Sequence, residues 1–232
     1  MEIFSEHTTD FQTGVIIPVN KPVNWTSFDV VNKIRYLLKY KREIPKIKVG
    51  HAGTLDPKAS GVLIVCTGKA TKQIQSLQGQ QKTYYAGLKF GETTPSFDSE
   101  TMVDATYPME HITREKIEQI IPSFVGNISQ IPPAYSALHV NGKRAYELAR
   151  NGQIPELKAR NVVIEKISIE RFESPYLELS ITCHTGTYVR SLVRDIGQAL
   201  ESGAWMSSLV RESSGDFQLK NAFTMEALIK MI

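Results

Sequence analysis

The sequence predicts an α+β fold built on a mixed, mostly antiparallel central sheet flanked by helices. Three observations carry this prediction. Strand-like and helix-like stretches do not alternate in strict βαβ order. Residues 62–66 (Val-Leu-Ile-Val-Cys) form a continuous apolar run of the length of a buried strand. Residues 160–172 and 176–183 alternate polar and apolar side chains on either side of Ser174-Pro175, with Val162, Ile164, Ile167 and Ile169 matched by Leu177, Leu179, Ile181 and Cys183. That alternation describes an antiparallel pair with one face buried.

The remaining elements follow along the chain. Residues 1–13 are polar and acidic and are expected as a flexible N-terminus, with one domain over 14–232. Gly14 to Val19 is a strand, and Asn20-Lys21-Pro22 a turn. Thr26 or Ser27 caps a helix with Asp29 in its first turn, running to about Lys39 with Val30, Val31, Ile34, Leu37 and Leu38 inward. After the apolar strand a helix covers Ala70 to Leu77, and Lys82 to Phe90 is an aromatic-rich strand. The polar stretch Gly91 to Thr106 reads as an exposed loop. Thr113 caps a helix through Ile121, Asn141-Gly142 signals a type I′ hairpin, and Arg144 to Arg150 is a helix capped by Gly152. Val189, Leu192, Val193, Ile196 and Leu200 mark a helix ended by Gly203, and Met225 to Met231 is the closing helix.

Composition narrows the function classes. At 41% hydrophobic and 22% charged, the 232 residues support a packed core rather than wholesale disorder. No apolar run approaches the ~20 residues of a membrane span, and the N-terminus lacks the order of a signal peptide. The two cysteines, Cys66 and Cys183, each lie in an apolar strand, so a cytoplasmic protein without a disulfide framework is expected. The net charge of +3 is unevenly spread: Lys33, Arg35, Lys39, Lys41, Arg42, Lys46 and Lys48 face one acid, Glu43, directly before the next motif. Such a run is a candidate phosphate contact.

That motif is Gly50-His51-Ala52-Gly53-Thr54-Leu55-Asp56-Pro57-x-Ala-x-Gly61-Val62-Leu63. Pro57 biases Asp56 towards an extended conformation, so one carboxylate is held on a stiff turn beside a buried strand. The string resembles the catalytic signature of the TruB family, bacterial tRNA pseudouridine synthases acting on the T-loop uridine. The resemblance extends from about residue 14 to 230 through Lys21-Pro22, Gly68-x-Ala70-Thr71-Lys72, Pro132-Pro133-x-Tyr135-Ser136-Ala137 and Gly186-Thr187-Tyr188-x-Arg190. It implies the pseudouridine synthase fold with an active-site cleft across the sheet. The chain stops before the C-terminal PUA-type domain of longer relatives could fit. Gly68-Lys69 lacks the spacing of a phosphate-binding P-loop, which argues against nucleotide hydrolysis.

The resemblance assigns roles residue by residue. Asp56 is the catalytic aspartate, whose covalent adduct would split one hard step into two. Attack at C1′, attack at C6 and elimination of the base all remain open. Arg190 is the arginine that pairs with the aspartate, Tyr84 stacks on the target uracil, Tyr188 lines the same pocket and Leu209 is its apolar wall. His51 fills the place of the flipped base. Lys21-Pro22 buttresses the catalytic loop. The stretch 91–106 corresponds to an RNA-gripping thumb, altered here at Thr94–Ser99 with Asp98 as its clear acid. The expected partner is the T stem-loop of tRNA, bound by a monomer. No cofactor is called for, and the five scattered histidines give no metal-ligand spacing.

Two other readings are distinguishable. A tRNA-folding chaperone would bind RNA without needing Asp56. A sugar glycosidase would need a second carboxylate across the bond, and the motif supplies none.

Overall fold

The computed structural model describes residues 2–8 and 10–232. In chain order its longer elements are β1 (Val15–Lys21), α1 (Ser27–Tyr40), β2 (Val49–Ala52), β3 (Ser60–Thr67), α2 (Ile74–Gly79), β4 (Lys82–Phe90), α3 (Arg114–Ile120), β5 (Gly126–Gln130), α4 (Ala145–Arg150), β6 (Arg160–Glu173), β7 (Tyr176–Cys183), α5 (Val189–Ala199), β8 (Ala204–Ser214) and α6 (Met225–Met231). This is the α+β arrangement expected. The chain divides into two compact units, residues 1–84 with 209–232 and residues 85–208. The chain passes between them within β4 and within β8.

In the first unit β3 is central. Residues 62–66 are at most 1% exposed, which is what their unbroken apolar run requires. One side of β3 pairs antiparallel with β1, from Ile16 opposite Cys66 to Lys21 opposite Gly61. On its other side the partner changes along the strand. β2 pairs antiparallel with Ile64 to Thr67, and β8 pairs in parallel through Val210 with Ser60 and Arg211 with Gly61. The segment 53–59 leaves the sheet at this change of partner.

α1 forms where predicted. Thr26 is its cap: the Asp29 N–H donates to Thr26 Oγ1 and the Thr26 N–H donates to Asp29 Oδ2, a reciprocal capping box. The inward row Val30, Val31, Ile34, Leu37 and Leu38 is buried as the periodicity requires. The predicted helix over 70–77 differs, being a 3-10 turn over Gly68–Gln73 continued by α2. The N-terminal stretch also differs from the flexible segment its polarity predicts. Glu2–Ile3 pair in parallel with Val15–Ile16, and Phe4 and Phe11 are buried with ring centroids 6.0 Å apart. Two phenylalanines anchor it among mostly polar neighbours.

In the second unit β7 pairs antiparallel with β6, and the start of β6 with β5. Leu177, Leu179, Ile181 and Cys183 face inward in alternation, as their sequence spacing indicates. Asn141 and Gly142 have φ of 50° and 81° between the paired residues Val140 and Lys143, the predicted hairpin. The helix assigned to end at Gly203 stops at Ala199, where Glu201 takes a left-handed φ of 53°.

The predicted exposed loop 91–106 is the main correction. Glu92–Thr93 pair with Ala105–Thr106, and Thr94, Ser96 and Asp98 between them are buried. Local hydrogen bonds make that burial possible. Ser96 Oγ donates to Asp98 Oδ1 at 2.6 Å, the Glu100 N–H donates to the same oxygen, and Thr94 Oγ1 donates to the Asp98 carbonyl.

Candidate active site

Asp56 sits half-buried on the 53–59 segment, and its neighbours are fixed on both sides. The buried Ser27 hydroxyl accepts from the Leu55 N–H at 2.9 Å and lies 3.1 Å from the Leu55 carbonyl, to which it donates. The Asn24 N–H donates to the Pro57 carbonyl at 2.7 Å, and the Ala59 N–H to the Asp56 carbonyl at 3.1 Å. The first turn of α1 and its approach thereby hold one flank of the loop.

Arg211 holds the other. It is 1% exposed and the largest fully buried side chain described. Its Nε donates to the Val62 carbonyl at 2.6 Å and Nη2 to the Gly53 carbonyl at 3.0 Å. The planar fork thus ties the start of the loop to the strand that follows it. The close approach is built into the backbone: Gly61 has φ of 107°, and a Cβ there would lie 2.3 Å from the Arg211 carbonyl oxygen.

Lys21 is a further buried cation of this unit. Its ammonium donates to the carbonyls of Pro22 at 2.9 Å and Trp25 at 2.6 Å, which fixes the turn into α1. Burial pushes its pKa down to about 8; the Asp56 carboxylate pulls it up and the Arg211 guanidinium pushes it further down. The Asp56 and Arg211 charges therefore both act on Lys21.

His51 lies on β2, two residues before Gly53, and is half-buried. Burial, and then the Arg211 charge, hold its pKa below the ordinary histidine value, against an opposing backbone hydrogen bond at Gly53. Its imidazole is thus neutral at pH 7. Leu209 is 7% exposed and shares a face of β8 with Arg211. Tyr84 is 9% exposed on β4, on the same face as Lys82, whose Cε lies 3.9 Å from the Cβ position of Gly53. The first unit therefore carries Asp56, His51, Tyr84 and Leu209, with Lys21 and Arg211 added.

Tyr188 and Arg190 belong to the second unit, at the start of α5. The Tyr188 N–H donates to Gln130 Oε1 at 2.8 Å and Gln130 Nε2 donates to the Tyr188 carbonyl at 3.1 Å. The Arg160 guanidinium stacks on the Tyr188 ring at 4.9 Å. Arg190 is 4% exposed, far from a solvated helix-start arginine. It donates to the carbonyls of Ser96 at 3.0 Å and Tyr135 at 2.9 Å, and Nε lies 3.5 Å from Asp98 Oδ2. Within this unit Asp98 is its acidic neighbour.

Arg211 is absent from the residues the sequence singles out, yet it positions the loop. A signal was present: an arginine at the parity of Leu209 on a strand whose inward face is otherwise apolar must be bonded there. Ser27, offered only as a helix cap, is the loop's other anchor.

Residues 38–189 match the pattern of the TruB family pseudouridylate synthase (N terminal domain), and residues 190–232 that of the tRNA pseudouridylate synthase B C-terminal domain. The chain is 53% identical over 219 residues to tRNA pseudouridine synthase B of Parabacteroides distasonis, covering 94% of this chain and 93% of that protein. It is 46% identical over 213 residues to tRNA pseudouridine synthase B of Clostridium kluyveri, covering 92% of this chain and 71% of the relative. Among solved structures it is similar to a chain of a Cbf5-Nop10-Gar1 complex, with a TM-score of 0.71 and 31% identity over 95% of this chain. It is similar also to a chain of an H/ACA RNP bound to a substrate RNA containing 2′-deoxyuridine, with a TM-score of 0.69 and 29% identity. This chain spans 54% and 53% of those two, about half their length. The aspartate loop, the fold and these matches agree, and the chain belongs to the TruB family of pseudouridylate synthases.

Proposed function

We propose that this chain isomerises uridine in tRNA to pseudouridine and that its target is the T-loop uridine, position 55. The observation that carries the reading is the Asp56 loop, pinned at Leu55 from α1, at Pro57 from Asn24 just before that helix, and at Gly53 by Arg211. Family membership and relatives named tRNA pseudouridine synthase B support it.

The reaction balances as an isomerisation. The bond from C1′ to N1 breaks, a bond from C1′ to C5 forms, the proton on C5 leaves and N1 gains one. Asp56 is the proposed nucleophile. A loop held at three points keeps that carboxylate near its attacking position, and positioning of this kind removes a large part of a barrier. The target base leaves its stack to react, at a cost of a few kcal/mol. His51 takes its place: a neutral ring stacks without needing a phosphate partner, and such stacking contributes ~1–3 kcal/mol. Tyr84 stacks on the uracil and Leu209 closes its apolar side. Tyr188 and Arg190 are proposed as further substrate-binding residues. The enzyme works as a cytoplasmic monomer on the T stem-loop, and no helix among the described residues is long and apolar enough to cross a membrane.

The test is to incubate the protein with an unmodified tRNA transcript and map pseudouridine at single-nucleotide resolution, with Asp56→Asn alongside. One new pseudouridine in the T loop, lost with Asp56→Asn while RNA binding persists, is expected. Binding without product from either protein would replace this reading with that of a tRNA-folding chaperone.

A further inference from the structure

The basic run ahead of the Asp56 loop does not act as one patch. Arg35 donates to Asn32 Oδ1 and to the Val49 carbonyl. Lys41 donates to the Ile229 carbonyl, and Arg42 to those of Met231 and Ile232, so both serve the C-terminal end of α6. These three cations are used inside the protein.

Lys33 and Lys39 are arranged differently. Each ammonium lies beside a tyrosine ring of α1, Lys33 at 5.7 Å from the centroid of Tyr36 and Lys39 at 4.7 Å from that of Tyr40. The two rings lie 4.7 Å apart at 46°. They are 55% and 59% exposed, on the side of α1 away from its buried row. Large aromatics held on a solvated helix face, each with a cation, have the two features that single-stranded nucleic acid recognises: a ring for the base and a charge for the phosphate. The one acid on this stretch of helix, Asp29, is tied into the capping box.

We infer that the Tyr36–Tyr40 face of α1 is a second RNA contact, taking an unpaired nucleotide of the substrate outside the loop that carries the target uridine, with its base against the rings and its phosphate on Lys33 and Lys39. The inference rests on the proposed function for the identity of the RNA. α1 sets the spacing. Ser27, its first residue, is bonded to Leu55 beside Asp56, and a helix rises 1.5 Å per residue, so Tyr36 and Tyr40 lie roughly 14–20 Å farther along its axis. That distance is beyond a single flipped nucleotide. The positive rim and absence of any exposed acid between the two rings favour a polyanion over a protein partner.

The experiment compares tRNA binding by three double variants whose melting temperatures match the wild type: Tyr36→Ala with Tyr40→Ala, Tyr36→Phe with Tyr40→Phe, and Lys33→Gln with Lys39→Gln. The probes are a full-length unmodified tRNA transcript and its isolated T stem-loop. The alanine pair is expected to bind the full tRNA at least about five-fold more weakly, with the stem-loop affinity unchanged, and the phenylalanine pair to bind both as the wild type does. The glutamine pair should lower the salt slope for the full tRNA by between about one and two. Full-tRNA affinity unchanged in the alanine pair would overturn the inference, as would an equal loss on the stem-loop. These binding results stand whether or not the wild type forms pseudouridine, so failure of the isomerase reading would be seen separately.

Discussion

Arg211→Met is the sharpest test of how the catalytic loop is held. Methionine fills much of the same buried volume but donates nothing to the carbonyls of Gly53 and Val62. Hydrogen bonds from a charged donor contribute about 1.5–3 kcal/mol each, so the two lost bonds are worth roughly 3–6 kcal/mol before compensation. Removing a buried guanidinium relieves part of its desolvation cost, which brings the expected net loss to about 2–4 kcal/mol. For a chain of this size that corresponds to a fall in melting temperature of roughly 5–15 °C, read by calorimetry or circular dichroism. The chemical step should suffer more specifically. With the Gly53 end of the loop released, Asp56 loses one of three anchors, and an error in placement of about 1 Å costs on the order of a hundred-fold. Single-turnover pseudouridine formation at 25 °C, well below either melt, should fall by about that factor while tRNA affinity stays within roughly three-fold of the wild type. Arg211→Lys reaches one carbonyl at best and should fall between. A methionine variant that melts early yet reacts at the wild-type rate would refute the positioning argument, leaving Arg211 a purely structural residue.

Two further outcomes follow from the same geometry. Lys21 has its folded pKa lowered to about 8, so as pH rises above 8 the folded state releases this proton before the unfolded state does, and burial of the charge costs progressively less. Between pH 8 and 10 the wild type should therefore gain stability relative to Lys21→Met, by at most about 1.4 kcal/mol per pH unit, and a difference that stays flat across denaturant titrations at those pH values would contradict it. Thr26→Ala removes half of the α1 capping box and should destabilise the protein by about 0.5–2 kcal/mol in the same titrations; no measurable change would mean that Asp29 caps the helix alone.

Much of this was legible in the sequence because the forces concerned are local. The apolar run at 62–66, the alternation at 160–183, the Thr26–Asp29 cap and the Asn141-Gly142 turn each follow from a few adjacent residues. The Asp56 loop was legible for another reason: its resemblance to a family signature. What stayed hidden depends on partners far along the chain. Asp98 belongs to a polar stretch that composition places in solvent, and it is buried only because Ser96 and Arg190 satisfy it. Arg211 looks like a surface charge until β8 is placed in parallel beside Gly61. Phe4 and Phe11 are two apolar residues in a polar lead, and no periodicity marks them as core. The roles of Lys41 and Arg42 at the end of α6 depend on a contact spanning nearly the whole chain.

The discontinuous first unit has a consequence for how the protein is born. A ribosome finishes residues 1–84, including the entire Asp56 motif, before it makes anything of the second unit. It then spends on the order of ten seconds on residues 85–208 before Arg211 exists. Throughout that interval the nascent loop has Ser27 but lacks its other clamp. Competence for RNA chemistry therefore arrives only once β8 has been made, and an abandoned fragment carrying the signature and its aspartate would be released without the arginine that sets it in place.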